Sequence, residues 1–284
     1  MRESRFWGLF LLPGGAWLAL LFLAPVSLLL LISTGYTDDL GRTVFLESFD
    51  LSNYADAFDP AYLPTLLRSL AFATATAVLC LAIGYPVAYY IARYGGRYKN
   101  ALIAALVLPF FINYLVRTYA WVALLSDDGL VNGAATDLGL IDQPIQMINT
   151  PFAVIGGLVY GYLIFMVLPV YASIERLDRS VIEAGKDLFG TPFRTFWHVT
   201  LPQTRQGILA GTVLVFLPAV GDFVSAQLLG GQETFMIGNL IQDEFLTNSN
   251  WPFGAAMTVV MMGFLSVWMF LYLRSAARDA TAAL

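Results

Sequence analysis

The sequence predicts an all-α membrane protein with six transmembrane helices and both termini in the cytoplasm. Three observations carry that prediction: an excess of apolar residues, their arrangement in long runs, and the placement of Lys and Arg on alternate connections. Of 284 residues, 58% are hydrophobic and only 12% charged. Soluble domains run near about 45–50% and about 25%.

Six apolar runs are long enough to cross a hydrocarbon layer of about 30 Å at about 1.5 Å per residue. In order they are Phe6–Ile32, Ser69–Ile91, Ala101–Leu125, Pro151–Ile174, Gly207–Gly231 and Pro252–Leu273. A backbone in lipid must satisfy its own hydrogen bonds, and these runs far exceed barrel strands, so helices are expected. The first follows Arg2 and Arg5 as a signal peptide would. It is much longer than a signal core of about 7–15 residues and lacks a small-x-small cleavage site, which predicts an uncleaved anchor. Between the first and second runs, 33–68 is the longest polar segment, with a short helix expected around Asn53–Phe58. Small residues at helical spacing predict close helix contacts: Ala71 with Ala75, Ala73 with Ala77, Gly157 with Gly161, and Gly207 with Gly211. Pro86, Pro109, Pro169 and Pro218 are candidate kinks. Nothing marks a linker or an internal repeat, so one domain over 1–284 is expected.

Orientation follows from Lys and Arg. The N-terminus (Arg2, Arg5), the second connection (Arg93, Arg97, Lys99), the fourth (Arg176, Arg179, Lys186, Arg194, Arg205) and the tail (Arg274, Arg278) hold twelve of the fifteen basic residues. These sides are assigned to the cytoplasm. The opposite loops, roughly 33–68, 126–150 and 232–251, are strongly acidic. That pattern fits solvated loops left acidic, or a surface that attracts cations or a basic partner. Trp7, Trp121, Trp251 and Trp268 lie near the expected interfaces. Cys80 is the single cysteine, which excludes a disulfide or a cysteine-based metal site within one chain. No metal, catalytic residue or nucleic-acid partner is expected.

The fourth connection is too elaborate for a link between helices, normally about 2–8 residues. Ser180 followed by Glu183 is a capping-box pattern, predicting a helix from Val181 with an apolar face of Val181, Ile182, Ala184, Leu188 and Phe189. Gly190 fits its stop, and Thr191–Pro192 fits the cap and first position of a second short helix. That helix carries Phe193, Phe196, Trp197 and Val199, with His198 an ordinary polar residue on it. Leu201–Pro202 closes it. From spacing alone, the amphipathic segment 180–202 either docks on a partner or lies on the membrane surface.

The segment EAGKDLFGTPFRTFWHVTLP (183–202) resembles the cytoplasmic signature of bacterial ATP-binding-cassette (ABC) importer permeases: E-A-A, three residues, G, nine residues, I-x-L-P. Glu183 and Ala184 match, Gly185 replaces the second Ala, Val199 stands for Ile, and Leu201 and Pro202 fall in register. Phe189 occupies the Gly position, with Gly190 one place later. Three further stretches are similar to the permeases of spermidine/putrescine importers: LPFFINYLVRTYAWVALLSDDGLVN (108–132), FLPAVGDFVSAQLLGG (216–231) and MIGNLIQDEFLTNSNWPFGAA (236–256). The resemblance implies a type I ABC importer permease fold (MetI-like) in the bacterial inner membrane. It implies a cytoplasmic ABC ATPase dimer that binds ATP and Mg, a second homologous permease subunit and an extracytoplasmic substrate-binding protein. It makes Glu183, Ala184, Gly185, Asp187, Leu188, Gly190, Leu201 and Pro202 the coupling residues that seat on the ATPase. No cofactor is expected on this chain itself, which lacks G-x-x-x-x-G-K-[ST].

Arg117 and Asp222 are the only charges inside the apolar runs. Charges at lipid depth cost about 2.5–3.5 kcal/mol each on insertion scales and face a cavity or each other. Both lie roughly 6 Å to the outer side of the midplane at about 1.5 Å per residue, so an ion pair is one expectation and a substrate path the other. For a polyamine, Asp222 would meet an ammonium, and Tyr114, Tyr119, Trp121 or Tyr160 would offer ring faces. Another small solute, such as an opine, thiamine or an iron chelate, fits the same class. An ATP-independent channel or secondary transporter is the rival. An intramembrane enzyme is disfavoured, since neither H-E-x-x-H nor G-x-S-x-G occurs.

Overall fold

The computed structural model describes residues 2–38, 43–44 and 49–281. The chain forms two compact units: Met1–Leu63 with Leu240–Trp268, and Pro64–Asn239 with Met269–Leu284. Almost all regular structure is helical. In chain order the elements are α1 (Arg2–Ser33), the two-residue strands β1 (Tyr36–Thr37) and β2 (Thr43–Val44), α2 (Ser52–Ala57), α3 (Leu63–Tyr94), α4 (Lys99–Val107), α5 (Tyr114–Leu125) and α6 (Leu130–Asp137). There follow α7 (Pro151–Glu175), α8 (Arg179–Phe189), α9 (Pro192–Thr195), α10 (Leu201–Gln203), α11 (Arg205–Val220), α12 (Phe223–Leu229), α13 (Ile237–Leu246) and α14 (Trp251–Thr281).

In the first unit, α2 sits where the sequence predicts a short helix and is tied to the end of α1. The Ser33 and Tyr54 hydroxyls are 2.6 Å apart, and Asn53 Nδ2 donates to the Gly35 carbonyl at 2.8 Å. β1 and β2 pair antiparallel, with Tyr36 opposite Val44. Tyr62 meets Phe253 at a ring separation of 5.6 Å.

The second unit is organised by α3, α7 and α11. Ala77, Cys80, Tyr85, Ala88, Met166, Val167, Val170, Ile174 and Val215 form one buried cluster. The predicted small-residue pair on α11 explains the fit. A Cβ on Gly207 would lie 2.4 Å from Ser173 Oγ and 2.6 Å from the Pro169 carbonyl, and one on Gly211 would lie 2.7 Å from Met166 Sδ. With no hydrophobic drive between helices in lipid, such close packing is what holds a bundle together. A second buried cluster joins Phe72, Leu125, Ala153, Val154, Leu158, Ala226, Leu229 and Met236.

The six predicted crossings are not six continuous helices. Among the described residues, four helical stretches are long and apolar enough to cross a membrane: Pro13–Ser33, Pro60–Tyr94, Pro151–Glu175 and Trp251–Arg274. The third run, Ala101–Leu125, is broken, with its halves bent by 92°. Leu108–Phe111 tightens into a 3-10 turn around Pro109, Ile112 becomes extended, and Asn113 caps α5 by accepting from Leu115 N at 2.9 Å. The fifth run, Gly207–Gly231, is broken at Gly221–Asp222, leaving α11 with 16 residues. At about 1.5 Å per residue that is roughly 24 Å, short of the hydrocarbon thickness. Proline alone does not make these breaks, because Pro86, Pro169 and Pro218 lie inside helices that continue past them. Each break coincides with an Asn or Asp whose side chain caps the next helix.

Candidate functional site

The segment 178–204 folds as two packed pieces. Asp178, not Ser180, is the N-cap of α8: its carboxylate accepts from Ser180 N at 3.0 Å, so the helix starts at Arg179 and the expected Ser180–Glu183 box is not formed. That hydrogen bond favours the charged form and holds the Asp178 carboxyl below its ordinary value. The C-terminal end follows expectation. Gly190 adopts φ +69°, and its N–H donates to the Lys186 carbonyl at 2.8 Å. Thr191 then caps α9, accepting from Arg194 N at 3.3 Å. After α9 comes one wide π turn, Phe196–Thr200, and then α10.

The predicted apolar face of α8 divides in two. Gly185 is buried and Ile182 and Phe189 are half-buried, whereas Val181, Ala184 and Leu188 are exposed. Gly185 marks the closest approach, since a Cβ there would lie 2.9 Å from Val199 Cγ2 and 3.0 Å from Thr195 Cγ2. That is the physical reason a glycine stands where the signature has alanine. Phe189 stacks on His198 at 4.9 Å and 20°, and His198 Nδ1 donates to the Arg194 carbonyl at 2.9 Å. The segment is thus braced from within, while Leu188 (79% exposed), Phe193 (72%) and Trp197 (52%) face outward. Glu183, Lys186 and Asp187 are exposed on α8, as is Pro202 on α10, while Leu201 is half-buried.

A second cluster lies in the transmembrane region. Asp222 is buried and caps α12, accepting from Ser225 N at 2.9 Å. Its other oxygen accepts from the Tyr162 hydroxyl at 2.8 Å and from the Tyr114 hydroxyl. The Ser225 and Tyr114 hydroxyls are 2.7 Å apart. Among the described residues no ion pair joins Asp222 to Arg117; the partners of the carboxylate are these neutral donors. Arg117 lies between ring faces instead, its guanidinium carbon 5.2 Å from the Tyr114 centroid and 5.7 Å from that of Tyr160. Trp121 meets Tyr160 edge-on at 5.5 Å, and Tyr119 is exposed. The structure therefore joins Tyr114 to Asp222, puts Arg117, Tyr160 and Trp121 alongside, and leaves Tyr119 apart. Tyr162 was not singled out from sequence. It stands two residues from Tyr160, on nearly the opposite side of α7, so helical spacing gave no signal that it joins this cluster.

At one end of the second unit, Lys99 pairs with Glu175 and Arg93 donates to the Leu177 carbonyl at 3.2 Å. These bonds fasten the ends of α3, α4 and α7 beside the start of α8.

Residues 81–279 match the family described as binding-protein-dependent transport system inner membrane component. The chain belongs to that family. Permeases named spermidine/putrescine transport system permease protein PotB are 38% identical, over 92% of this chain and 90% of the relative in Haemophilus influenzae, and over 96% and 95% in Salmonella typhimurium. The inner membrane ABC transporter permease protein YdcU of Escherichia coli is 34% identical over 96% of this chain and 91% of its own. Among solved structures, a bacterial alginate ABC transporter in complex with a periplasmic protein carrying an alginate pentasaccharide has a chain that matches with TM-score 0.79. That match is 16% identical and covers 98% of this chain and 96% of that one. The MetNI methionine ABC transporter matches at TM-score 0.53, 17% identical, over 78% of this chain and 95% of its own. The chain is a multi-pass inner-membrane protein with the all-α, MetI-like fold of importer permeases.

Proposed function

We propose that this chain is a membrane-spanning subunit of an ATP-driven importer for polyamines of the spermidine/putrescine class. The observation that carries the reading is kinship of 38% identity with spermidine/putrescine permeases along 92% of the chain. In this reading a separate ABC ATPase dimer binds ATP and Mg and supplies the work. A second, homologous permease completes the pathway, and an extracytoplasmic binding protein delivers the solute.

Coupling is assigned to α8 and its bracing. Val181, Ala184 and Leu188 offer apolar area to a groove on the ATPase, and Glu183 and Asp187 orient the helix there. Gly190 and the Phe189–His198 stack keep it rigid enough to move as one body. In the pathway, Asp222 holds its two tyrosine hydroxyls in place of a counter-ion. A primary ammonium brings three donors and is able to replace the Tyr114 and Tyr162 hydroxyls on the carboxylate. Rings of Tyr114, Tyr160 and Trp121 would add cation–π attraction of about 0.5–2 kcal/mol each. The test is uptake of radiolabelled spermidine and putrescine into vesicles holding the whole complex, with unlabelled opine, thiamine and iron chelate as competitors. ATP-dependent accumulation blocked by polyamines alone is expected. Accumulation that needs no ATPase subunit, or that only another solute blocks, overturns the reading.

A further inference from the structure

We propose that Tyr85 on α3 is a positioning residue for transport, the point at which the cytoplasmic segment grips the transmembrane core. This deepens the permease reading and rests on it.

The backbone between segment and core departs from regular helix at two places. Between α10 and α11 the helix is distorted at Thr204, whose backbone sits at φ −94°, ψ 4°, although its N–H still donates to the Thr200 carbonyl at 3.0 Å and its carbonyl still accepts from Ile208 N at 3.2 Å. At the other end, α7 stops at Glu175 and α8 begins only at Arg179. A push on α8 meets distorted or non-helical backbone at both places, and side chains that brace them stiffen the path.

Tyr85 spans the distortion at Thr204. Its hydroxyl is 2.9 Å from Thr204 Oγ1, with Tyr85 7% and Thr204 0% exposed. Thr204 has one hydroxyl proton, and its oxygen also lies 3.0 Å from the Thr200 carbonyl and 3.2 Å from the Leu201 carbonyl. Carbonyls only accept, so Thr204 donates to its own backbone and Tyr85 donates to Thr204. The Tyr85 ring takes a second hold on the segment, meeting Phe196 edge-on at 5.4 Å and 87°. On the core side the neighbouring Gly84 lets α3 approach α7 so closely that a Cβ there would stand 3.2 Å from both Met166 and Val167. One end of Tyr85 is therefore fixed to the tightly packed helices, and the other to the distorted junction between the cytoplasmic segment and α11. Phe196, Leu201 and Ile208 pack against the same buried cluster.

Because Tyr85 is the donor, Tyr85→Phe removes the clasp without stranding a buried N–H or O–H. Thr204→Val does strand one, the tyrosine hydroxyl, whereas Thr204→Ser keeps the acceptor. The experiment measures polyamine taken up per ATP hydrolysed by the whole complex in vesicles, alongside co-purification of the ATPase. Tyr85→Phe is expected to assemble and hydrolyse ATP within about twofold of the parent, yet to lose about fivefold or more in uptake per ATP, the low end of coupling between linked sites. Thr204→Ser is expected to hold the parental ratio, and Thr204→Val to lose it. The double variant Tyr85→Phe/Thr204→Val should be no worse than the worse single, since both break one contact. Parental uptake per ATP in an assembled Tyr85→Phe complex overturns the proposal, as does equal loss in Thr204→Ser and Thr204→Val. The Thr204 pair decides the matter should Tyr85→Phe fail to assemble. A parental complex that carries no polyamine overturns the substrate reading instead, and the variants are then compared on the solute it does carry.

Discussion

Replacing Asp222 separates its duty as a cap from its duty as a charge. Asp222→Ala removes the acceptor for Ser225 N, a loss of about 0.5–2 kcal/mol for an N-cap. It also removes the charged acceptor of the Tyr162 hydroxyl, a hydrogen bond to an ionised group, for about 1.5–3 kcal/mol more. Tyr114 is spared the full penalty because it keeps the Ser225 hydroxyl at 2.7 Å. The expected cost is therefore about 2–5 kcal/mol, concentrated where the fifth span breaks. Asp222→Asn behaves differently. Its Oδ1 still caps α12, since Asn and Asp cap about equally well, and its Nδ2 donates to a tyrosine oxygen in place of accepting. Asn should thus stay within about 1 kcal/mol of the parent. Stability would be read as the denaturation midpoint of the detergent-solubilised complex, and function as polyamine uptake. The expectation is that Ala loses both while Asn loses uptake alone. Equal stability of the Ala and Asn variants would refute the capping argument. Parental uptake by Asp222→Asn would remove the carboxylate from the pathway.

Three other outcomes are expected. Gly185→Ala should destabilise the packing of α8 by about 1 kcal/mol or more, because overpacking against Val199 and Thr195 outweighs the gain in helix propensity; Val199→Ala should relieve it in the double variant, and a stabilised single variant would contradict the close approach. Leu188→Glu should leave the fold intact, as Leu188 is 79% exposed, while reducing co-purification of the ATPase; unchanged co-purification removes this face from coupling. Asp178 has a lowered carboxyl value in the folded chain, so its stabilisation of α8 is present above the ordinary value of 3.8 and fades as pH falls through the lower folded value. The difference in amide protection of α8 between the parent and Asp178→Ala should accordingly be present at about pH 6 and shrink at about pH 3; a difference that persists undiminished in acid would refute the cap.

Much was legible in the residues alone. Apolar runs of more than 20 residues have one physical solution in lipid, so the helical class followed from composition and run length. The end of α8 at Gly190 and the restart at Thr191–Pro192 were legible because local backbone geometry dictates those residue types. The signature at 183–202 and the kin stretches carried the family. By contrast, the start of α8 was misplaced by two residues, since Asp178 and Ser180 are both good caps and local sequence does not rank them. The breaks at Ile112–Asn113 and Gly221–Asp222 were hidden because an apolar run looks the same whether its helix is whole or divided. Only the fold decides whether a polar side chain finds a buried backbone N–H to cap. The same holds for partners across the bundle. Equal depth made Arg117 and Asp222 a plausible pair, but rotation about each helix axis fixed the actual contacts. That rotation gave Asp222 to Tyr114, Tyr162 and Ser225, and Arg117 to the rings of Tyr114 and Tyr160. It also brought Tyr85 to Thr204, 119 residues away in the chain. The sequence determined which runs are long and apolar enough for membrane helices and where the signature segment lies; the tertiary structure alone decided which side chains meet, because angular register between packed helices depends on every contact at once.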